Sequence, residues 1–198
     1  MFISKLFIGQ IILTCISYQS SVKPIIYTKG DVTVDIADSK SIKLMFETIG
    51  KVDAVVCIAG EAKWAEFDTM TEEDFYLGIR SKLMGQVNLV RLGRDCMNAG
   101  GSFTLSTGIL ADHPVALTTS AAMVNGGIHS FVKAVSLELK NSIRINVVSS
   151  GLVEGAVEIY EDYFPGHNPI PMKKVINGFV KSVQGGGNGE IIRMYDNC

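Results

Sequence analysis

The chain of 198 residues sets 18 Lys+Arg against 20 Asp+Glu, a net charge of -2, and is 47% apolar and 19% charged. At roughly 150 residues per domain this is one domain with a sizeable core. The near-neutral balance excludes the strongly basic surface that nucleic acid or anionic lipid would need. A small molecule is the expected partner, with no nucleic acid and no membrane.

The first twenty residues, Met1 to Ser20, hold a lysine, an apolar stretch from Leu6 to Ile16 and then small polar residues. One reading is a secretion signal, too short to span a bilayer; the other, favoured by the pattern downstream, is a core strand leading into a helix. The second reading makes the protein cytoplasmic and the first makes it secreted.

Apolar runs of strand length succeed one another at Lys5–Ile8, Pro24–Tyr27, Ala54–Ile58, Ser102–Leu105, Ile143–Val148 and Glu190–Met194. Helical patterns fall between them, at Ser39–Ile49, Thr71–Asn98, Ser120–Lys140 and Met172–Val183. Alternation of this kind predicts an α/β protein with a doubly wound parallel sheet in three layers. Ser39 stands before the stripe Ile42, Met45 and Phe46 as a cap, Thr71 with Asp74 has the spacing of a capping box, and Gly100-Gly101 is expected to end the long helix. The stripes Leu83, Val87, Val90 and Ile128, Val132, Val135 are core positions. Gly151 to Pro171, rich in Gly, Pro, Tyr and Phe, is the one long irregular stretch and the natural lid. The four cysteines and three histidines are scattered without metal-ligand spacing.

Four segments taken together carry a family resemblance: Gly30–Ile36, Val52–Gly60, Ser81–Gly85 and Ile143–Gly151. In this order they resemble the short-chain dehydrogenase/reductase family over most of the chain. The resemblance implies a Rossmann-like sheet binding NAD or NADP across the carboxyl ends of its strands, and hydride transfer between that cofactor and a small carbonyl or alcohol. It also implies a homodimer or homotetramer. Cofactor contacts carried over by position are Gly9, Asp35, Ile36, Ala59, Gly60, Gly151 and Val153, with Thr28 and Lys29 placed where a ribose 2′-phosphate is judged. Lys29 leans the expectation towards NADP.

Two features depart from the family's pattern. After Gly9 the chain continues directly into Gln10-Ile11-Ile12-Leu13, with no further glycine before Gly30, so the phosphate-binding turn is shortened. The positions of the family's tyrosine and lysine fall on Ala121 and Asn125, and the asparagine position on Lys82, an exchange of amide and ammonium between two helices. An atypical branch lacking the Tyr-x-x-x-Lys pair is implied. The strand-end hydroxyl falls on Thr107 with Ser106 adjacent. The catalytic candidates are therefore Lys82, Ser106, Thr107 and Asn125, and a catalytically inactive ligand-sensing or assembly module is the alternative reading.

Overall fold

The computed structural model describes residues 11–14 and 32–195. Five parallel strands form one sheet in chain order: β1 (Ile11–Thr14), β2 (Val52–Cys57), β3 (Met97–Gly108), β4 (Arg144–Ser150) and β5 (Ile191–Met194). The expected strand at Lys5–Ile8 lies outside the described residues. The described edge strand is Ile11–Thr14, in register with Ala54–Cys57. Ile11–Leu13, read from sequence as part of the shortened turn, lie in this strand. The expected strand at Pro24–Tyr27 lies outside the described residues.

Helices lie on both faces, giving the three-layer Rossmann-like arrangement. On one face α1 (Ser39–Ile49), α3 (Gly85–Gly93) and α4 (Thr119–Val135) bury Ile42, Phe46, Leu89, Val90, Ile128 and Val132. These pack on Val55, Phe103, Leu105, Ile145 and Val147 of the sheet. On the other face α6 (Met172–Gln184) sets Val175 and Phe179 on Val56, Val148 and Ile192. Successive strand residues thus point to opposite faces, as the pleat requires.

Local chemistry fixes the helix ends. The cap of α1 is Asp38, not Ser39, because the Asp38 carboxylate accepts from Lys40 N at 2.9 Å. Thr71 and Asp74 form the expected capping box, each side chain accepting from the other's backbone N–H. The long helix expected over Thr71–Asn98 is instead α2 (Glu72–Gly78), a π turn (Ile79–Met84) and α3, ending at Gly93. Met97 already belongs to β3. Gly100 and Gly101, read as a helix stop, form a bulge in that strand: Val52 pairs with Met97 and Ala54 with Ser102. Gly100 adopts the left-handed backbone, φ +77°, that the bulge needs. The last expected helix turn, Ser136–Lys140, is also shorter than the pattern suggested, with α4 ending at Val135.

Candidate active site

The two central strands separate at their carboxyl ends. Pairing between β2 and β3 stops at Val56–Thr104, although β3 continues alongside β4 to Gly108. The backbone groups of Ser106 on the β2 side need other partners, since unpaired buried amides are costly. Gln86, fully buried on α3, supplies both. Its Oε1 accepts from Ser106 N at 3.1 Å, and its Nε2 donates to Ser106 O at 3.0 Å and to Ala59 O at 3.4 Å. One side-chain amide thus takes the place of the missing rung and holds the crevice open at Ala59-Gly60.

Lys82 lies in the π turn facing that crevice. A Cβ on Gly60 would stand 2.7 Å from Lys82 Cα, and Gly60 has φ +116°. The glycine is therefore needed for the lysine to approach. Gly60 makes room for Lys82. Burial pulls the Lys82 ammonium below its usual pKa, countered in part by the Cys57 thiol beside it. A π turn at such a point is the distortion often found where a helix serves a site.

At the end of β3 the two hydroxyl candidates face opposite ways. Leu105 packs with the α1/α3/α4 face and Thr104 bonds Ser182 of α6. By alternation Ser106 faces α6 and Thr107 faces α4. Thr107 Oγ1 is 2.8 Å from His129 Nε2. Asn125, one turn earlier on α4, is buried and engaged at both ends: Oδ1 accepts from Gly108 N at 3.3 Å, and Nδ2 donates to Ala121 O at 2.8 Å. In this structure Asn125 pins helix to strand end. Ala121 is buried in an apolar cluster with Ile109, Leu110, Leu152 and Phe164.

Next to Thr107 across the ladder stands Ser149, whose hydroxyl bonds the Tyr195 hydroxyl. Tyr195 in turn donates to Asp112 Oδ2 at 2.9 Å, and Arg193 donates to both Asp112 oxygens at 2.9 and 3.1 Å. The Arg193 guanidinium holds the Asp112 carboxyl below the ordinary carboxylate range. Burial pushes the Tyr195 phenol far above its usual 10.0.

The stretch after β4 closes the far side. Gly151 N donates to Met194 O at 2.9 Å, and Val153 bridges to Ile170, so the lid is anchored at both ends. Between the anchors lies a short helix α5 (Val157–Tyr160). Tyr160 and Tyr163 pack their rings on Trp64, with centroids 5.2 and 5.5 Å away, and Phe164 lies 6.4 Å from it. The lid rings described pack on Trp64.

The cofactor candidates divide between the rim and the undescribed segments. Ile36 is buried and lies against Gly85, while Asp35 is exposed, one carboxylate oxygen accepting from Ala37 N at 2.9 Å. Gly9, Thr28 and Lys29 lie outside the described residues. Sequence reasoning missed Gln86, His129, and the Asp112, Arg193 and Tyr195 group. Gln86 had a signal, a polar residue on the stripe Leu83, Gln86, Val90 that should be buried.

A parallel α/β sheet flanked by helices, with a crevice at its carboxyl edge and a lid over it, defines a Rossmann-like domain. The family model described as enoyl-(acyl carrier protein) reductase matches residues 11–165. The chain is 45% identical to the protein lin1944 from Listeria innocua, covering 84% of each chain with a TM-score of 0.83. It is 25% identical to a small-chain dehydrogenase solved in complex with NADPH, covering 82% of this chain and 80% of that one, TM-score 0.73. No curated protein matches. The chain belongs to the short-chain dehydrogenase/reductase family of oxidoreductases, which as a family bind NAD(P). Among the described residues, no helix is long and apolar enough to cross a membrane.

Proposed function

We propose that the protein transfers a hydride between NADP(H), taken ahead of NAD(H), and a small carbonyl or alcohol, as an atypical family member without the Tyr-x-x-x-Lys pair. The observation that carries this reading is Lys82 pressed against Gly60 at the crevice, its charged form penalised by burial. A partly desolvated ammonium is worth more to a developing or resident negative charge than one in water. A homo-oligomer in the cytoplasm completes the proposal.

The residues present fit such a cofactor at the nicotinamide end. Ala59 and Gly60 follow β2 at the crevice, and Gly108 and Gly151 keep the neighbouring strand ends free of side chains, an added Cβ at each making only ordinary contact with Ser150 O at 3.8 Å and Met194 O at 3.5 Å. Gly151 and Val153 would hold the carboxamide side, and Asp35 and Ile36 the adenine side. When bound, the nicotinamide supplies or takes the hydride. Lys82 holds positive charge at the crevice, the Thr107 hydroxyl orients the substrate oxygen, Asn125 keeps the β3 end in place, and the aromatic lid excludes water. Ser106 contributes through its backbone, clamped by Gln86.

The test is steady-state oxidation of NADPH with a panel of small aldehydes and ketones, wild type against Lys82→Met. Turnover is expected with at least one carbonyl, and a loss of about a hundredfold or more in Lys82→Met. Unchanged kcat/KM in the variant removes Lys82 from the reaction.

A further inference from the structure

Oxidising an alcohol releases one proton with each hydride, and a group at the site must take it. Position 121 offers only a methyl, and α4 carries no tyrosine. The carboxyl end of β3 does hold a bonded hydroxyl and imidazole, Thr107 Oγ1 and His129 Nε2 at 2.8 Å. Both residues are buried, at 5% and 6% exposure, so water does not compete for the bond. Asn125, four residues before His129, fixes the helix to Gly108 N, which holds the ring against Thr107.

The charges facing the ring come from three elements: Asp112 from the β3–α4 connection, Arg193 from β5 and Lys133 from α4 itself. Asp112 is already held by Arg193 and Tyr195, so the two cations and burial outweigh it. The imidazole is accordingly held below its ordinary pKa of 6.5, with desolvation the largest cause. A neutral imidazole bonded to a buried hydroxyl is the arrangement that accepts a proton.

We propose that Thr107 and His129 form the proton path of the reaction, Thr107 touching the substrate oxygen and His129 acting through it. This rests on the oxidoreductase reading above. In oxidation the carbinol C–H bond breaks and its electron pair leaves with the hydrogen to the nicotinamide. The substrate O–H bond breaks as its proton moves to Thr107 Oγ1, and the Thr107 proton moves to His129 Nε2. The products are the carbonyl compound, the reduced nicotinamide and an imidazolium; reduction reverses each step. Oxidation therefore needs neutral His129 and rises with pH through its pKa, whereas reduction needs the imidazolium and falls as pH rises through the same value.

Full-length wild type, Thr107→Val, Thr107→Ser, and His129→Gln are compared in three measurements. Calorimetry with NADPH comes first: all four are expected to bind alike, and a wild type that does not bind refutes the oxidoreductase reading rather than the pair. Nitrogen-15 spectra of the histidine rings without cofactor come second. His129 is expected to titrate below 6.5, with its Nε2 signal moved by Thr107→Val and kept by Thr107→Ser; a ring charged at neutral pH, or blind to Thr107→Val, overturns the proposal. Third are initial rates with NADP+ and propan-2-ol, cyclohexanol and benzyl alcohol across pH. His129→Gln and Thr107→Val are expected to lose about 10²–10⁴-fold, with the pH slope flattened, and Thr107→Ser to keep it. A His129→Gln profile matching wild type, or binding without oxidation of any of the three alcohols, overturns it.

Discussion

Replacing Gln86 by leucine removes the amide that closes the gap between β2 and β3 while keeping the side chain's bulk. Ser106 N loses its acceptor at 3.1 Å and Ser106 O its donor at 3.0 Å, and both stay enclosed because Gln86 is 0% exposed. Each orphaned backbone group costs about 1–3 kcal/mol. The Ala59 O contact at 3.4 Å adds little. The expected loss is about 2–5 kcal/mol, or roughly 5–20 °C in Tm for a domain of this size, read by thermal and urea unfolding of the ligand-free protein. Gln86→Glu sharpens the test, because a carboxylate can accept from Ser106 N but cannot donate to the two carbonyls. Its deficit should be larger at neutral pH and shrink as the carboxyl protonates in acid. A Gln86→Leu variant within about 0.5 kcal/mol of wild type, with no pH dependence in Gln86→Glu, would refute the clamp.

The Asp112 carboxyl is held below its unfolded value of 3.8 by Arg193, so its contribution is present above that pH and lost as pH falls through the lower folded value. Asp112→Asn should cost about 1 kcal/mol at neutral pH, given the half-exposed Arg193, and should remove that acid-side slope from the stability curve; an unchanged slope contradicts the assignment. Gly93 lies where α3 crosses α1, and a Cβ there would stand 2.4 Å from Phe46 Cζ. Gly93→Ala should lose about 1–3 kcal/mol to overpacking despite its better helix propensity. Adding Phe46→Leu should recover part of it, and strict additivity of the two would exclude the contact. His129, buried with a depressed pKa, should make the protein less stable as pH falls below 6.5, where the unfolded chain protonates first. His129→Gln should flatten that decline, which unfolding midpoints across pH 5 to 8 would show.

The parts of this fold that could be read from sequence are those where one periodicity dominates. Val55, Phe103 and Ile145 sit in unbroken apolar runs, and Ile42, Met45 and Phe46 repeat at helical spacing, so strands β2 to β5 and helices α1, α4 and α6 were legible. Thr107 and Lys82 were picked out by position in the family resemblance, and the structure sets Thr107 at the end of β3 and Lys82 against Gly60. What failed depends on contacts distant in sequence. The π turn accompanies the close approach of Gly60 to Lys82, which local propensity does not encode. Arg94–Asn98 has helix-compatible composition, so only the sheet register reveals that Met97 starts β3 and that Gly100-Gly101 bulges. The strand Ile11–Thr14 was not read from the sequence, because its apolar run continues the one before it and only its pairing with Ala54–Cys57 marks it as a strand. Asp112 lies some eighty residues from both Arg193 and Tyr195 along the chain, and they meet because β5 lies beside β4 and β4 beside β3.

The proposed function rests on the crevice at Ala59-Gly60, with Lys82 behind it, holding a nicotinamide dinucleotide. Calorimetric titration of the full-length protein with NADPH and with NADH tests it most directly. Saturable micromolar binding of NADPH, tighter than NADH and weakened in Lys82→Met, is expected. Absence of heat for either cofactor at millimolar concentration would contradict it.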